Sequence, residues 1–223
     1  MTMIRKYFSL WLLALVVAAA GTAQTQPAQL QVTDGPIPMR VLSQGPADTD
    51  TELQVICLFR SDPVNGFHGA LTEMDEKLKG LLERIRRQDL FRGELGETIL
   101  IAPNTGTIPA KKLLIIGLGD SQTFMPERME MIGSIVYREA SRLRAAHPFF
   151  APTVLDGGVT KYTTGQTSEQ VIHGFLRAAA TEKILSEAGG STGILIQDLT
   201  YLAGLQYAAI TRDGIEKALA TAR

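Results

Sequence analysis

Short apolar runs alternate with longer stretches in which apolar residues recur every three or four positions. The runs Leu53–Phe59, Glu97–Ala102 and Lys112–Leu118 are compact and almost wholly apolar. Runs this short and this apolar predict strands covered on both faces. After the first run, Leu71, Met74, Leu78, Leu81, Leu82 and Ile85 fall at helical spacing. Glu73, Lys77, Glu83 and Arg84 take the other faces, so one long helix is expected, closed by Gly93 and Gly96. Asn104–Pro109 is too short for a crossover and predicts an antiparallel pairing of its neighbours. Met129, Ile132, Val136, Ala140 and Leu143 mark a second helix, with Pro126 in its first turn and Pro148 and Pro152 beyond its end. Val171, Ile172, Phe175, Leu176 and Ala179 mark a third, with Thr167 and Gln170 as a capping box and Gly189-Gly190 at its end. Two further strands are expected at Thr153–Leu155 and Ile194–Gln197, and Leu199–Arg223 reads as largely helical.

Strands alternating with helices argue a three-layer α/β/α domain over residues 51–223. Residues 24–50 read as a linker, rich in Gln, Thr and Pro at Gln24–Asp34, with a candidate edge strand at Ile37–Leu42. Pro38 suits only an edge or an end of such a strand.

The first 23 residues do not read as fold. Arg5 and Lys6 precede an apolar run, Phe8–Ala20, broken only by Ser9, and Gly21-Thr22-Ala23 supplies small residues. That is the three-part order of a secretory signal, with cleavage expected between Ala23 and Gln24. The run falls short of the roughly 20 residues that span a bilayer, so no membrane association is expected after cleavage. The expected compartment is periplasmic or secreted. Removing two of the 22 basic residues leaves 20 against 23 acidic. A mildly acidic mature chain is a poor partner for nucleic acid, which demands clustered cations. Arg84, Arg86 and Arg87 read instead as the wet face of a helix. The single cysteine, Cys57, lies inside an apolar strand and reads as a small buried hydrophobe.

Candidate chemistry is sparse. Gly117-Leu118-Gly119-Asp120-Ser121 follows a strand, as phosphate loops do, but Gln122 stands where a dinucleotide fingerprint needs its third glycine. No Gly-Lys-Ser/Thr run and no Gly-x-Ser-x-Gly elbow occurs. His68, His147 and His173 have no partner at metal spacing. No catalytic residue, metal or cofactor is assigned. The two glycines read chiefly as backbone geometry at a strand end.

The strand LQVICLF, the segment Phe91, Gly93, Gly96, Glu97, Thr98 and the run Lys112 to Gly119 together resemble the N-terminal domain of the leucyl (cytosol) aminopeptidase family, over roughly Leu53 to Ala188. The resemblance implies a macro-domain-like fold with a mixed, mostly parallel sheet. It also implies what is expected to be missing. The family's two metals belong to a C-terminal domain with an Asn-Thr-Asp-Ala-Glu-Gly-Arg signature. Here Asn104-Thr105 runs into Gly106, and the sequence stops at Arg223.

On such a fold the loops Arg60–His68, Gly117–Ser121 and Asp156–Gln166 gather at the carboxyl ends of the strands. They are expected to bring Arg60, Asn65, His68, Gly117, Gly119, Asp120, Ser121 and Lys161 to one rim, suited to a small anionic ligand. The reading is a secreted, non-catalytic module that binds such a ligand or a protein partner, with a homo-oligomer left open. The alternative is an enzyme or enzyme subunit: a macro-like ADP-ribose-type hydrolase, or the accessory chain of an aminopeptidase.

Overall fold

The computed structural model describes residues 28–32, 35–60 and 66–222. The expected signal segment, the start of the linker and Asn65 lie outside them. In chain order the elements are β1 (Gln29–Val32), β2 (Met39–Leu42), β3 (Gln54–Leu58), α1 (Gly69–Lys77), α2 (Leu81–Arg87), β4 (Thr98–Ile101), β5 (Leu113–Gly117), α3 (Arg128–Arg142), β6 (Phe149–Ala151), α4 (Thr164–Glu187), β7 (Leu199–Leu202) and α5 (Ala208–Thr221). The strands form one sheet in the order β1-β2-β7-β6-β3-β5-β4. Four neighbouring pairs, from β2 through β7, β6 and β3 to β5, run parallel, and the two outermost pairs are antiparallel. The sheet is therefore mixed and mostly parallel. No helix among the described residues is long and apolar enough to cross a membrane.

The central strand β3 shows why the layers form. Val55 and Cys57 face a core shared with α3, α4 and α5, while Ile56 and Leu58 face a second core under α1 and α2. All five β3 residues are buried, which is what an unbroken apolar strand demands. β4 and β5 make the expected antiparallel pair, with Thr98 opposite Ile116 and Ile101 opposite Leu113.

Several elements differ from the sequence reading. The long first helix is two helices, broken where Lys79 and Gly80 take positive φ (58° and 73°). Asp75 caps the second of them, accepting from Leu82 N–H at 2.7 Å. The fourth strand is Phe149–Ala151, and not Thr153–Leu155. Thr153 has φ 47°, and its hydroxyl accepts from Cys57 N–H at 3.0 Å and donates to Cys57 C=O at 2.5 Å. A side chain thus extends the ladder where the backbone has turned away. Ile194–Gln197 is no strand; Ile194 N–H is held by the Ser141 hydroxyl at 3.0 Å, and the strand follows as β7. The C-terminal stretch is accordingly a strand and then α5. The capping box is Thr163 with Gln166, one turn earlier than Thr167 with Gln170. Pro126 lies just before α3. β1 and β2 belong to the sheet, with Pro38 just before β2 and β1 as the edge.

Two helix contacts are unusually close. A Cβ on Gly174 would lie 1.7 Å from the Glu130 carbonyl oxygen, and one on Gly133 would lie 1.9 Å from that of Val171. α3 and α4 therefore touch backbone to backbone. Gly214 meets the Gly165 carbonyl in the same way between α5 and α4, at 2.2 Å.

The start of α1 is capped from a distance. Its own N-cap residue, His68, contributes no side-chain bond. Asp156 accepts from Ala70 N–H at 2.8 Å through its carboxylate and from His68 N–H at 3.1 Å through its carbonyl. A carboxylate at a helix N-terminus is favourable. Burial nevertheless raises the Asp156 carboxyl above the ordinary carboxylate range, and this outweighs the Ala70 bond and the nearby His68.

Two outcomes are expected. Gly174→Ala should lower stability by at least about 2 kcal/mol, roughly 4–8 °C in Tm, while Gly190→Ala, which meets only the Leu185 carbonyl at 3.7 Å, should not. Equal melting temperatures for the two variants would contradict the close packing. The second concerns pH. A raised folded-state pKa means that the folded chain binds the Asp156 proton more tightly than the unfolded chain. Its contribution is then full below the unfolded pKa and is lost as pH rises through the folded one. Asp156→Asn should keep the Ala70 bond and remove that falling slope, so its stability relative to the parent should climb across the acid range. Parallel denaturation curves over that range would refute the assignment.

Candidate functional site

The carboxyl ends of β2, β7, β6, β3 and β5 share one edge of the sheet, where open α/β folds hold ligands. The β3 and β5 half of this edge is closed by the protein itself. A Cβ on Gly117 would lie 2.0 Å from the Glu94 carbonyl oxygen, so this glycine is required for the crossing of residues 93–97. The amides of the Gly-Leu-Gly run are engaged: Gly117 N–H with Glu97 C=O, Leu118 N–H with Leu58 C=O, and Gly119 N–H with Gly93 C=O, each at 2.8 Å. Gly119 takes φ 75° and accepts from Arg60 N–H at 2.8 Å. These amides face backbone carbonyls, which leaves none of the three free to cradle an anion.

The remaining rim residues fall into three places. Arg60 pairs with Asp120 at 3.4 Å and with Glu94 at 3.6 Å, both exposed contacts of the kind that add little stability. Asp120 also accepts from Gln122 N–H at 2.8 Å. Ser121 lines a small gap of about 10 Å³ with Phe59, Gly66, Phe67, Arg86 and Gly157, room for about one water. His68 is exposed and is tied through its backbone to Asp156. Lys161 is exposed on the β6–α4 connection, its ammonium 5.0 Å from the Tyr162 ring centre. Asn65 lies outside the described residues. Arg60, Gly117, Gly119, Asp120 and Ser121 thus stand together, while His68 is bonded to Asp156 and Lys161 precedes Tyr162 of the neighbouring cavity without lining it.

That cavity is the open half of the edge. It measures about 360 Å³ and lies among the ends of β2, β7 and β6, the start of α4 and the start of α5. Its walls are mostly apolar and hydroxylic. Among the described residues, Asp156 is the only charged one lining it, and no Lys, Arg or His does. Four side-chain oxygens of its lining residues, Ser43 Oγ, Thr164 Oγ1, Tyr201 OH and Thr211 Oγ1, are buried and without a hydrogen-bond partner among the described residues. Tyr201 is 1% and Thr211 0% exposed. Burial, helped by the nearby Cys57, drives the Tyr201 phenol far above its ordinary pKa, so it stays a neutral donor. Thr167 stands close to this phenol but outside bonding geometry, its hydroxyl donating to Thr164 C=O at 3.0 Å. Cys57 itself is fully buried, and desolvation pushes its thiol up, away from thiolate chemistry.

Sequence reasoning missed this group. Its members come from four separate segments, and an isolated Ser or Thr carries no spacing signal. The one usable cue was Thr163-Thr164 opening a helix. It also misplaced Arg86, which is not on a wet face. Its guanidinium lies 4.8 Å from the Phe67 ring centre and donates to Phe59 C=O at 3.2 Å. Nε is buried without a partner among the described residues, and desolvation lowers the guanidinium pKa.

The architecture has solved counterparts. The Oceanobacillus iheyensis macrodomain with ADP superposes with a TM-score of 0.57 at 14% identity, covering 88% of this chain and 100% of that one. The Trypanosoma brucei macrodomain in complex with ADP-ribose gives a TM-score of 0.52 at 17% identity, over 78% of this chain and 67% of that one. Tomato leucine aminopeptidase gives 0.59 at 19% identity, over 87% of this chain and 37% of the longer enzyme. At these identities the likeness is one of fold: a macrodomain-like α/β fold. In sequence, the probable cytosol aminopeptidase of Alkaliphilus metalliredigens is 32% identical over 93 residues, 42% of this chain and 18% of that protein. That of Thermosynechococcus vestitus is 31% identical over 100 residues, 44% of this chain and 20% of that protein. The matches thus span about a fifth of these relatives' length. The defining pattern of the N-terminal domain of the cytosol aminopeptidase family matches residues 55–187, and through that domain the chain belongs to the family.

Proposed function

We propose that this chain is a non-catalytic binding module, exported from the cytoplasm, whose small-molecule ligand occupies the cavity between the ends of β2, β7 and β6. The observation that carries the reading is the set of four buried hydroxyls without partners around one cavity. Polar groups that the protein itself leaves unpaired gain by bonding what fills the cavity, water or ligand, so their clustering supports a polar occupant. Each hydroxyl turns about a single bond and can either donate or accept. A ligand with hydroxyl, carbonyl or ring-nitrogen groups answers them, and the largely apolar wall suits a flat ring beside those groups. The macrodomains named above with ADP and ADP-ribose make adenine nucleotides and adenosine the first probes. Export rests on the charged start, the short apolar run and the small residues at Gly21-Thr22-Ala23.

Titration of adenosine, ADP and ADP-ribose by calorimetry is expected to give a dissociation constant of about 1 mM or tighter for at least one of them, which is roughly 4 kcal/mol. Tyr201→Phe separates ligand binding from mere packing. Removing an unpaired hydroxyl should raise the stability of the empty protein, by up to about 1 kcal/mol, and weaken the ligand. Loss of stability with unchanged binding would rule this cavity out. Mass spectrometry of the exported protein is expected to find Gln24 as the first residue, and a mature chain that keeps residues 1–23 would remove the case for export.

A further inference from the structure

We propose that the Asp156 carboxylate is a latch dividing one cleft into two, and that a ligand with an anionic end displaces it and carries that end to Arg86. The inference rests on the ligand reading above. The two spaces are walled by adjoining residues. Ala70 and Asp156 line the 360 Å³ cavity. Phe67, Leu71 and Gly157, their near neighbours in the chain, line the small gap that holds Arg86 and Ser121. The partition is therefore the start of α1 laid against the turn after β6.

Few contacts hold that partition. Ala70 N–H donates to the Asp156 carboxylate at 2.8 Å and His68 N–H to the Asp156 carbonyl at 3.1 Å. Gly69, at φ 46°, allows the approach, since a Cβ there would stand 2.4 Å from Asp156 Oδ1. Gly157 packs on the Phe59 ring, where a Cβ would lie 2.5 Å from a ring carbon. The carboxylate is costly where it sits, because burial penalises its charge.

On the far side Arg86 is a cation in want of an anion. It makes no ion pair within 4.0 Å among the described residues, and its buried Nε has no acceptor there. Arg60, by contrast, is already matched by Asp120 and Glu94. While the latch is shut, Asp156 is the one charge among the described lining residues that an entering ligand meets, and it repels an anion. Once it swings out, the ligand's anion inherits the Ala70 N–H and faces Arg86. One anion replaces another at the start of α1, so the charge there is conserved. The ligand class is a small molecule with a neutral, hydrogen-bonding head and a phosphate or carboxylate end.

The test titrates adenosine and ADP into the full chain and into Asp156→Asn, Asp156→Ala, Arg86→Gln and the Asp156→Ala/Arg86→Gln double variant. Asp156→Ala should tighten ADP by about tenfold and move adenosine by less than about twofold, with Asp156→Asn between it and the parent. Arg86→Gln should cancel that gain in the double variant. Adenosine affinity is the internal control, since a variant that fails to fold loses both ligands. Equal changes for adenosine and ADP in Asp156→Ala, or an ADP-to-adenosine ratio indifferent to Arg86, overturn the latch and leave the cavity reading standing. If neither probe binds any variant, the cavity reading falls, and the latch with it.

Discussion

Backbone contact between helices is the constraint on which the site depends. Gly133 and Gly174 bring α3 onto α4, and Gly165 and Gly214 bring α4 onto α5, at backbone-to-backbone contact. Such contacts are all or nothing, because even one methyl group overfills them. They fix α4 relative to its two neighbours, and so fix where its first turn emerges over the sheet. Ser168, in that turn, also bonds Thr211 C=O of α5 at 2.9 Å. Thr164 and Thr211 thus reach the same cavity wall through helix packing, and not through any loop motif.

The sheet edge is then divided by how its amides are used. After β5, the amides of Gly117, Leu118 and Gly119 meet backbone carbonyls, and Gly117 lets residues 93–97 pass. After β6, the chain turns at Thr153, and the sheet opens into a cavity lined by hydroxyls. The glycine-rich strand end and the strand end that opens into the cavity are therefore different strand ends here. The resemblance of Gly-Leu-Gly to a phosphate loop is resolved by what those amides already bond.

What the sequence made legible was what periodicity encodes. β3, β5 and α3 stand where apolar runs and helical spacing placed them, because each buries a face that its own pattern declares, whereas β4 stands at its expected place but is the sheet's outer strand, with Thr98 and Leu100 exposed and not covered on both faces. β6 and β7 were displaced by a few residues, for a physical reason. β6 is three residues between Pro148 and Pro152, too short for a pattern, whereas in Thr153–Leu155 and Ile194–Gln197 it is Val154 and Ile196 that pack into the core, without pairing in the sheet. The break between α1 and α2 was hidden because Leu78 and Leu81 keep the helical spacing across Gly80. The site was the least legible part. Arg60, Asp120 and Ser121 were visible as polar residues after glycines. Ser43, Tyr201 and Thr211 matter through coincidence in space, which no local pattern reports.

Burying unpaired groups is affordable only on a sound scaffold. A domain of this kind is stable by about 5–15 kcal/mol, so polar groups that the fold itself does not pair draw on a small margin. Arg86, half-buried and unmatched, adds to the same side of the balance. On the other side stand β3 and β5, buried along their whole length, and a helical layer joined through glycines. Of the buried side-chain atoms without a partner among the described residues, Ser43 Oγ, Thr164 Oγ1, Tyr201 OH and Thr211 Oγ1 belong to residues lining the cavity, while Asp198 Oδ1, Thr200 Oγ1 and the Nε atoms of Arg86 and Arg212 lie elsewhere. The first four come together because the ends of β2 and β7 meet the starts of α4 and α5 there, a consequence of helix packing and of nothing local in the sequence.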